Sequence, residues 1–258
     1  MLFPISDDDR HLLSPAWITI GLLVTNVAVF IYQFLHPEFS LGFSAIPAEI
    51  TTGKDLVGEV TTTLGGQTVT LPHAPGPTPI HLTVLSAMFM HGGLAHIGGN
   101  LLYLWIFGDN VEHRFGALRF FFFYLVSGIA ATAAQIAVDP DSIIPTLGAS
   151  GAISGVLGAY MVLFPTNRVN CIIFFRLVSL PAVLVLGLWI GLQFLNGGGQ
   201  IMASEQTGGV AYAAHIGGFV AGLIAGALAR LGMDHEPDTQ FRRVVERAHP
   251  SDDPFRRR

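Results

Sequence analysis

Long apolar runs separated by short polar stretches dominate the chain, and they read as six membrane spans. The first runs from Trp17 to Leu35, and the second from Leu82 or Leu94 to Val111. The third covers Ala117 to Val138, the fourth Leu147 to Phe164, the fifth Ile172 to Leu195 and the sixth Val210 to Leu231. Each approaches the roughly 20 residues an α-helix needs to cross a bilayer core. The pattern predicts an all-α membrane protein, a bundle of six transmembrane helices spanning residues 15–232. Residues 1–14 form a polar strip before it. Residues 233–258 form a polar, basic tail whose composition favours disorder. The longest connection, residues 37–81, holds TTTLGGQTVTL, two β-prone runs around Gly65 and Gly66, and then the proline-rich PHAPGPTP. NGGGQIMASEQTGG, residues 196–209, reads as a glycine-rich, mobile connection.

Composition agrees with this pattern. Of 258 residues, 51% are hydrophobic and only 12% charged, about half the charge of a usual soluble domain. Basic residues supply an orientation. Arg10 precedes the first span, Arg114 and Arg119 separate the second from the third, and Arg168 and Arg176 separate the fourth from the fifth. Arg230 and the tail arginines follow the sixth. With six spans, all of these fall on one side, and Lys54 stands alone on the other. The positive-inside rule then places both termini in the cytoplasm. Asp7, Asp8 and Asp9 occupy the place of a basic signal n-region, so the first span is expected to be retained. One cysteine, Cys171, excludes an internal disulfide framework and reads as a small apolar residue.

The fourth span is unusual: TLGASGAISGVLGAY carries Gly148, Gly151, Gly155 and Gly158. Glycine in a soluble helix costs about 1 kcal/mol relative to alanine. In a membrane, small residues let helices approach closely. On the fourth span Ser150, Ser154 and Gly158 form a small-residue stripe with Gly151 and Gly155 beside it, and Gly218, Gly222 and Gly226 form another on the sixth. At about 100° per residue, His215 lies roughly 60° from Gly218 and 20° from Gly222, so it shares that face. Ser150 lies about three residues into its span, near 5 Å deep, and His215 about five residues in, near 8 Å. The two therefore meet near the outer face. HGGLAHIGGN adds His96 and Asn100, spaced i, i+4 on one helix face in the same layer.

A serine beside a histidine is a nucleophile with its base. His96, Asn100 and the Ser150 backbone N–H at a helix start are candidate donors to an oxyanion. No carboxylate is placed to complete a triad, so a dyad is expected. A metal reading of His91 and His96 is weaker. Their i, i+5 spacing sets them about 140° apart on a helix, and no third ligand is near. GASGA is not the GxSxG elbow. Glu112 and Arg114 are expected to form a structural polar cluster, and Trp17, Trp105 and Trp189 to serve packing or the interface. Neither a metal, another cofactor nor nucleic acid is expected.

With HGGLAHIGGN, LGASGAISG and AHIGGFVAG on spans two, four and six, residues 15–231 resemble the rhomboid family of intramembrane serine proteases. The resemblance implies Ser150 as nucleophile and His215 as general base. It implies His96 and Asn100 as oxyanion-hole side chains, His91 as a supporting residue, and Gly148 and Gly151 as shaping the nucleophile's surroundings. It also implies transmembrane protein substrates, with the fifth span and the 196–209 loop as a lateral gate and cap. Two departures stand out. Ser154 occupies the position where some relatives carry an aromatic residue against the histidine ring, so another group must orient His215. The Trp-Arg pair of several members is absent from residues 37–81. Two alternatives are a catalytically silent, client-binding relative and a transporter. The first lacks support because both Ser150 and His215 are present. The second predicts polar residues through both membrane halves. A compact six-span plan suggests the cytoplasmic membrane of a prokaryote, with the active site toward the outer face.

Overall fold

The computed structural model describes residues 2–8, 14–64, 67–203 and 211–232. The tail 233–258 and residues 204–210 lie outside these. The described chain is mostly helical. Strand β1 (Leu2–Ser6) precedes α1 (Trp17–Leu35), and the connection 37–81 contains α2 (Pro37–Phe43), α3 (Pro47–Thr52) and the hairpin β2 (Gly58–Leu64) and β3 (Gln67–His73). Then come a short α4 (Thr83–Ser86) between two 3₁₀ turns, α5 (Leu94–Phe115), α6 (Ala117–Val138) and α7 (Ser150–Leu163). A second hairpin, β4 (Arg168–Ile173) and β5 (Arg176–Pro181), leads into α8 (Ala182–Ala203) and α9 (Tyr212–Gly232).

Helices α1, α6 and α9 are long and apolar enough to cross a membrane. Ile80–Phe89 with α5, bent by 77°, makes a fourth candidate, while α7 and the Ala182–Gly197 part of α8 are shorter. Helix α7 is buried on all sides from Gly151 to Tyr160, which is why its sequence is apolar or small all round. Helices α5, α6, α8 and α9 pack around it. The α7–α9 seam is backbone against backbone. A Cβ on Gly218 would overlap the Gly151 carbonyl oxygen, and one on Gly222 would overlap that of Gly155. Gly218 and Gly222 of the expected sixth-span stripe thus face Gly151 and Gly155, and this seam sets the separation of the side chains at the N-terminal ends of the two helices.

Local chemistry fixes the helix ends. Gly116, at φ 80°, ends α5 and starts α6 within one residue, a conformation that glycine adopts without a Cβ penalty. The Glu112 carboxylate accepts from Ile18 N at 3.0 Å, Thr19 N at 2.7 Å and Thr19 Oγ1 at 2.8 Å. A buried charge near the end of α5 therefore satisfies orphan donors at the start of α1, where the helix dipole also favours an anion. Glu112 thus ties α5 to α1.

Helix α5 begins at Leu94, one of the two starts expected for the second span, with Gly92 and Gly93 between it and the Ile80–Phe89 turns. Three expectations need correction. Helix α7 begins at Ser150, not Leu147, so Ser150 is its first residue rather than a turn inside. Residues 172–181 are not the start of the fifth span. The apolar run VNCIIFF folds into β4 and its turn, and β4 pairs antiparallel with both β5 and the distant β1. Finally, residues 196–203 are helical, since α8 runs through Ala203. Within the 1–14 strip, Leu2–Ser6 is thus a sheet strand, with Phe3 opposite Ile172.

Candidate active site

Ser150 opens α7 and His215 sits in the first turn of α9. With the glycine seam closing the two helices together, Ser150 Oγ lies 2.8 Å from His215 Nε2. This is hydrogen-bond distance, with the hydroxyl as donor when Nε2 carries a lone pair. The first turn of α9 is pinned by Gln135 of α6, whose Oε1 accepts from Ala214 N at 3.3 Å.

The approach to Ser150 is held by the connection 37–81. Ala45 and Thr146 exchange backbone hydrogen bonds of 2.9 and 2.8 Å, Ala48 N donates to Ser142 O at 3.0 Å, and His73 Nε2 lies 3.0 Å from Ile143 O. Gly148 N donates to Ala87 O at 2.9 Å. Residues 142–149 are therefore fixed from both sides before α7 begins. Gly148 has φ 136°, and a Cβ there would come 2.8 Å from His96 Nε2 and 3.5 Å from Ser150 Oγ. Glycine leaves open a space bounded by the imidazole and the serine hydroxyl. Gly151 lies on the other side, where a Cβ would meet Ala131.

His96 has a defined tautomer. Gly92 N donates to its Nδ1 at 3.2 Å, so Nδ1 holds the lone pair and the proton sits on Nε2, the nitrogen that borders this space. Asn100, one turn further along α5, is buried, and its Nδ2 has no acceptor among the described residues. Buried amides in folded proteins are rarely left so. His91 is not on α5, so the helical-wheel angle to His96 does not apply. Its ring meets that of His96 edge-on at 5.2 Å between centroids. Gln33 of α1 holds the backbone there, accepting from His91 N at 2.8 Å.

Two partners of His215 escaped the sequence reading. Gln193 Oε1 of α8 lies 2.8 Å from His215 Nδ1. The Trp189 ring lies 5.9 Å from the imidazole, tilted by 36°. Together they fill the orienting role left open by Ser154, whose hydroxyl instead donates back to Ser150 O at 2.6 Å. The available signal was a lone amide in the apolar run AVLVLGLWIGLQFL. Gln33 and Gln135 are amides of the same kind, each inside an apolar span.

A sequence-family model described as Rhomboid domain matches residues 81–231. Among curated proteins, the chain is 31% identical over 153 residues to Rhomboid protein 1, mitochondrial, of Saccharomyces cerevisiae, covering 56% of this chain and 41% of that protein. It is 32% identical over 144 residues to Rhomboid protease GluP of Bacillus subtilis, covering 56% of this chain and 25% of that protein. It is 31% identical over 147 residues to RHOMBOID-like protein 5 of Arabidopsis thaliana, covering 55% and 42%. The matched region is thus less than half the length of these relatives.

Proposed function

This chain belongs to the rhomboid family, and from that premise we propose that it is an intramembrane serine endopeptidase. The observation that carries the reading is the 2.8 Å contact between Ser150 Oγ and His215 Nε2. Ser150 Oγ attacks the scissile carbonyl while His215 Nε2 takes its proton. The oxyanion forms in the space kept open by Gly148. There the His96 Nε2–H, the Asn100 amide and the Ser150 backbone N–H supply donors. Protonated His215 then delivers its proton to the leaving amine, and water hydrolyses the acyl-enzyme with His215 again as base. Cleavage occurs in or next to a transmembrane segment of the substrate. Helix-breaking residues favour it, because an intact helix hides its amide bonds.

The same reading counts α1, the bent α5 pair, α6, α7, α8 and α9 as six spans, with both termini cytoplasmic and Ser150 toward the outer face. Residues 15–232 form the protease domain, with 1–14 and 233–258 flanking it. The membrane is proposed to be the cytoplasmic membrane of a prokaryote. A client-binding protein without catalysis would have no need of a hydrogen-bonded Ser–His pair beside an unsatisfied amide. The test is cleavage of a labelled single-span protein in liposomes by the parent, Ser150→Ala and His215→Ala. Loss in both variants, with unchanged folding, is expected. Cleavage surviving Ser150→Ala would refute the nucleophile assignment.

A further inference from the structure

We propose that Gln193 is a positioning residue that fixes the tautomer and the ring plane of His215. The inference rests on the protease reading for its kinetic consequence but not for its geometry. The Gln193 oxygen has no proton to give, so the 2.8 Å contact to His215 Nδ1 is a hydrogen bond only when Nδ1 carries the hydrogen. In a neutral imidazole that leaves the lone pair on Nε2, the nitrogen 2.8 Å from Ser150 Oγ. Ser150 Oγ can donate or accept, so it is the Gln193 contact that selects the tautomer, and the one it selects is that in which His215 can accept the serine proton. The opposite tautomer would set Nδ1 against a carbonyl oxygen lone pair to lone pair.

Trp189 lies four residues before Gln193 on α8, hence on the same face, and packs against both His215 and Phe219. The ring is thus held by an apolar neighbour along its plane and by an acceptor at its edge. A neutral amide performs the orientation given elsewhere to a carboxylate. It does so without placing a second charge beside an imidazole that lies within a membrane-spanning helix.

The experiment uses the full chain purified in detergent, with three readouts on the parent, Gln193→Met and Gln193→Glu. Nitrogen-15 NMR of labelled histidine, with His215→Ala to assign the signal, reports the His215 tautomer independently of activity. Labelling by a fluorophosphonate probe and cleavage of a single-span substrate report kcat and KM. The parent is expected to carry its proton on Nδ1. Gln193→Met is near in shape and lacks the acceptor. It should lose the single tautomer and about tenfold in kcat, the weight of one hydrogen bond, with KM unchanged. Gln193→Glu restores the acceptor. It should recover kcat and move the acid limb of the rate profile to higher pH, because a carboxylate beside Nδ1 favours the imidazolium. A Gln193→Met protein that keeps both the parent tautomer and the parent kcat overturns the inference. So does a Gln193→Glu protein with neither rescue nor a shifted pH profile. A parent that neither labels nor cleaves contradicts the protease reading, while the NMR signal still decides the role of Gln193.

Discussion

Helix α7 has a polar cluster at each end, and the two differ in how their hydrogen bonds close. Toward its C-terminus, the Tyr160 hydroxyl donates to Asp7 Oδ2 and accepts from Asn167 Nδ2 at 3.3 Å. Asn110 Nδ2 donates to the same Asp7 oxygen at 2.9 Å, and Asn167 Nδ2 also reaches Asp8 O at 3.3 Å. Side chains from α5, α7 and the β1 end of the chain thus close most of one another's hydrogen bonds, while Asn110 Oδ1 has no partner among the described residues. At the N-terminus, Ser150 and His215 bond to each other, Asn100 Nδ2 has no acceptor among the described residues, and the space beside Gly148 is bounded by His96 Nε2 and Ser150 Oγ. Buried polar groups that satisfy one another hold a fold together. Donors that converge on an open space are prepared for a group that arrives later.

The largest effects should therefore come from the open cluster. His96→Ala or Asn100→Ala is expected to lower kcat by about 10²–10³-fold, the usual weight of an oxyanion donor, with little change in thermal stability. Equal losses of stability and activity would instead make these residues part of the packing. At the closed cluster the expected order reverses. Tyr160→Phe removes a donor from Asp7 and should lower stability by about 1–3 kcal/mol, measured by thermal unfolding in detergent. Activity per folded molecule should be unchanged.

A smaller effect is expected outside the membrane, at Glu49 of α3, a buried carboxylate that accepts from Leu56 N at 2.9 Å. Burial raises its pKa above the ordinary value, the Leu56 N–H opposes that rise, and Asp55 adds to it. A raised folded-state value means that the folded protein binds the proton more tightly than the unfolded chain. Folding is thus penalised as pH rises above the ordinary glutamate range, and the penalty disappears below it. Glu49→Gln keeps an acceptor for Leu56. It should raise the unfolding temperature slightly near neutral pH, with the gap closing as the pH falls through the carboxylate range.

The sequence carried the core of this arrangement because its signals were local or periodic. Trp17–Leu35 and Ala117–Val138 are continuous apolar runs, and the structure begins and ends those helices at the same residues. The four-residue glycine stripes fixed which faces meet, and with them the approach of His215 to Ser150. What escaped depended on partners distant in the chain. The apolar run at 169–175 has the hydropathy of a span, and only its pairing with β1 and β5 makes it a strand. Gln193 is a single amide on an apolar run, and its partner His215 is 22 residues away. The connection 37–81 was legible as β-prone around Gly65. Its contacts with residues 142–146, which fix the approach to Ser150, were not.

The most direct test is covalent. The purified chain would be treated with a fluorophosphonate probe and the adduct mapped by mass spectrometry, beside His215→Ala and Tyr160→Phe. Expected is a single adduct on Ser150, lost in His215→Ala and retained in Tyr160→Phe. An adduct elsewhere, or labelling of Ser150 that persists without His215, would contradict the claim that these two side chains act as nucleophile and base.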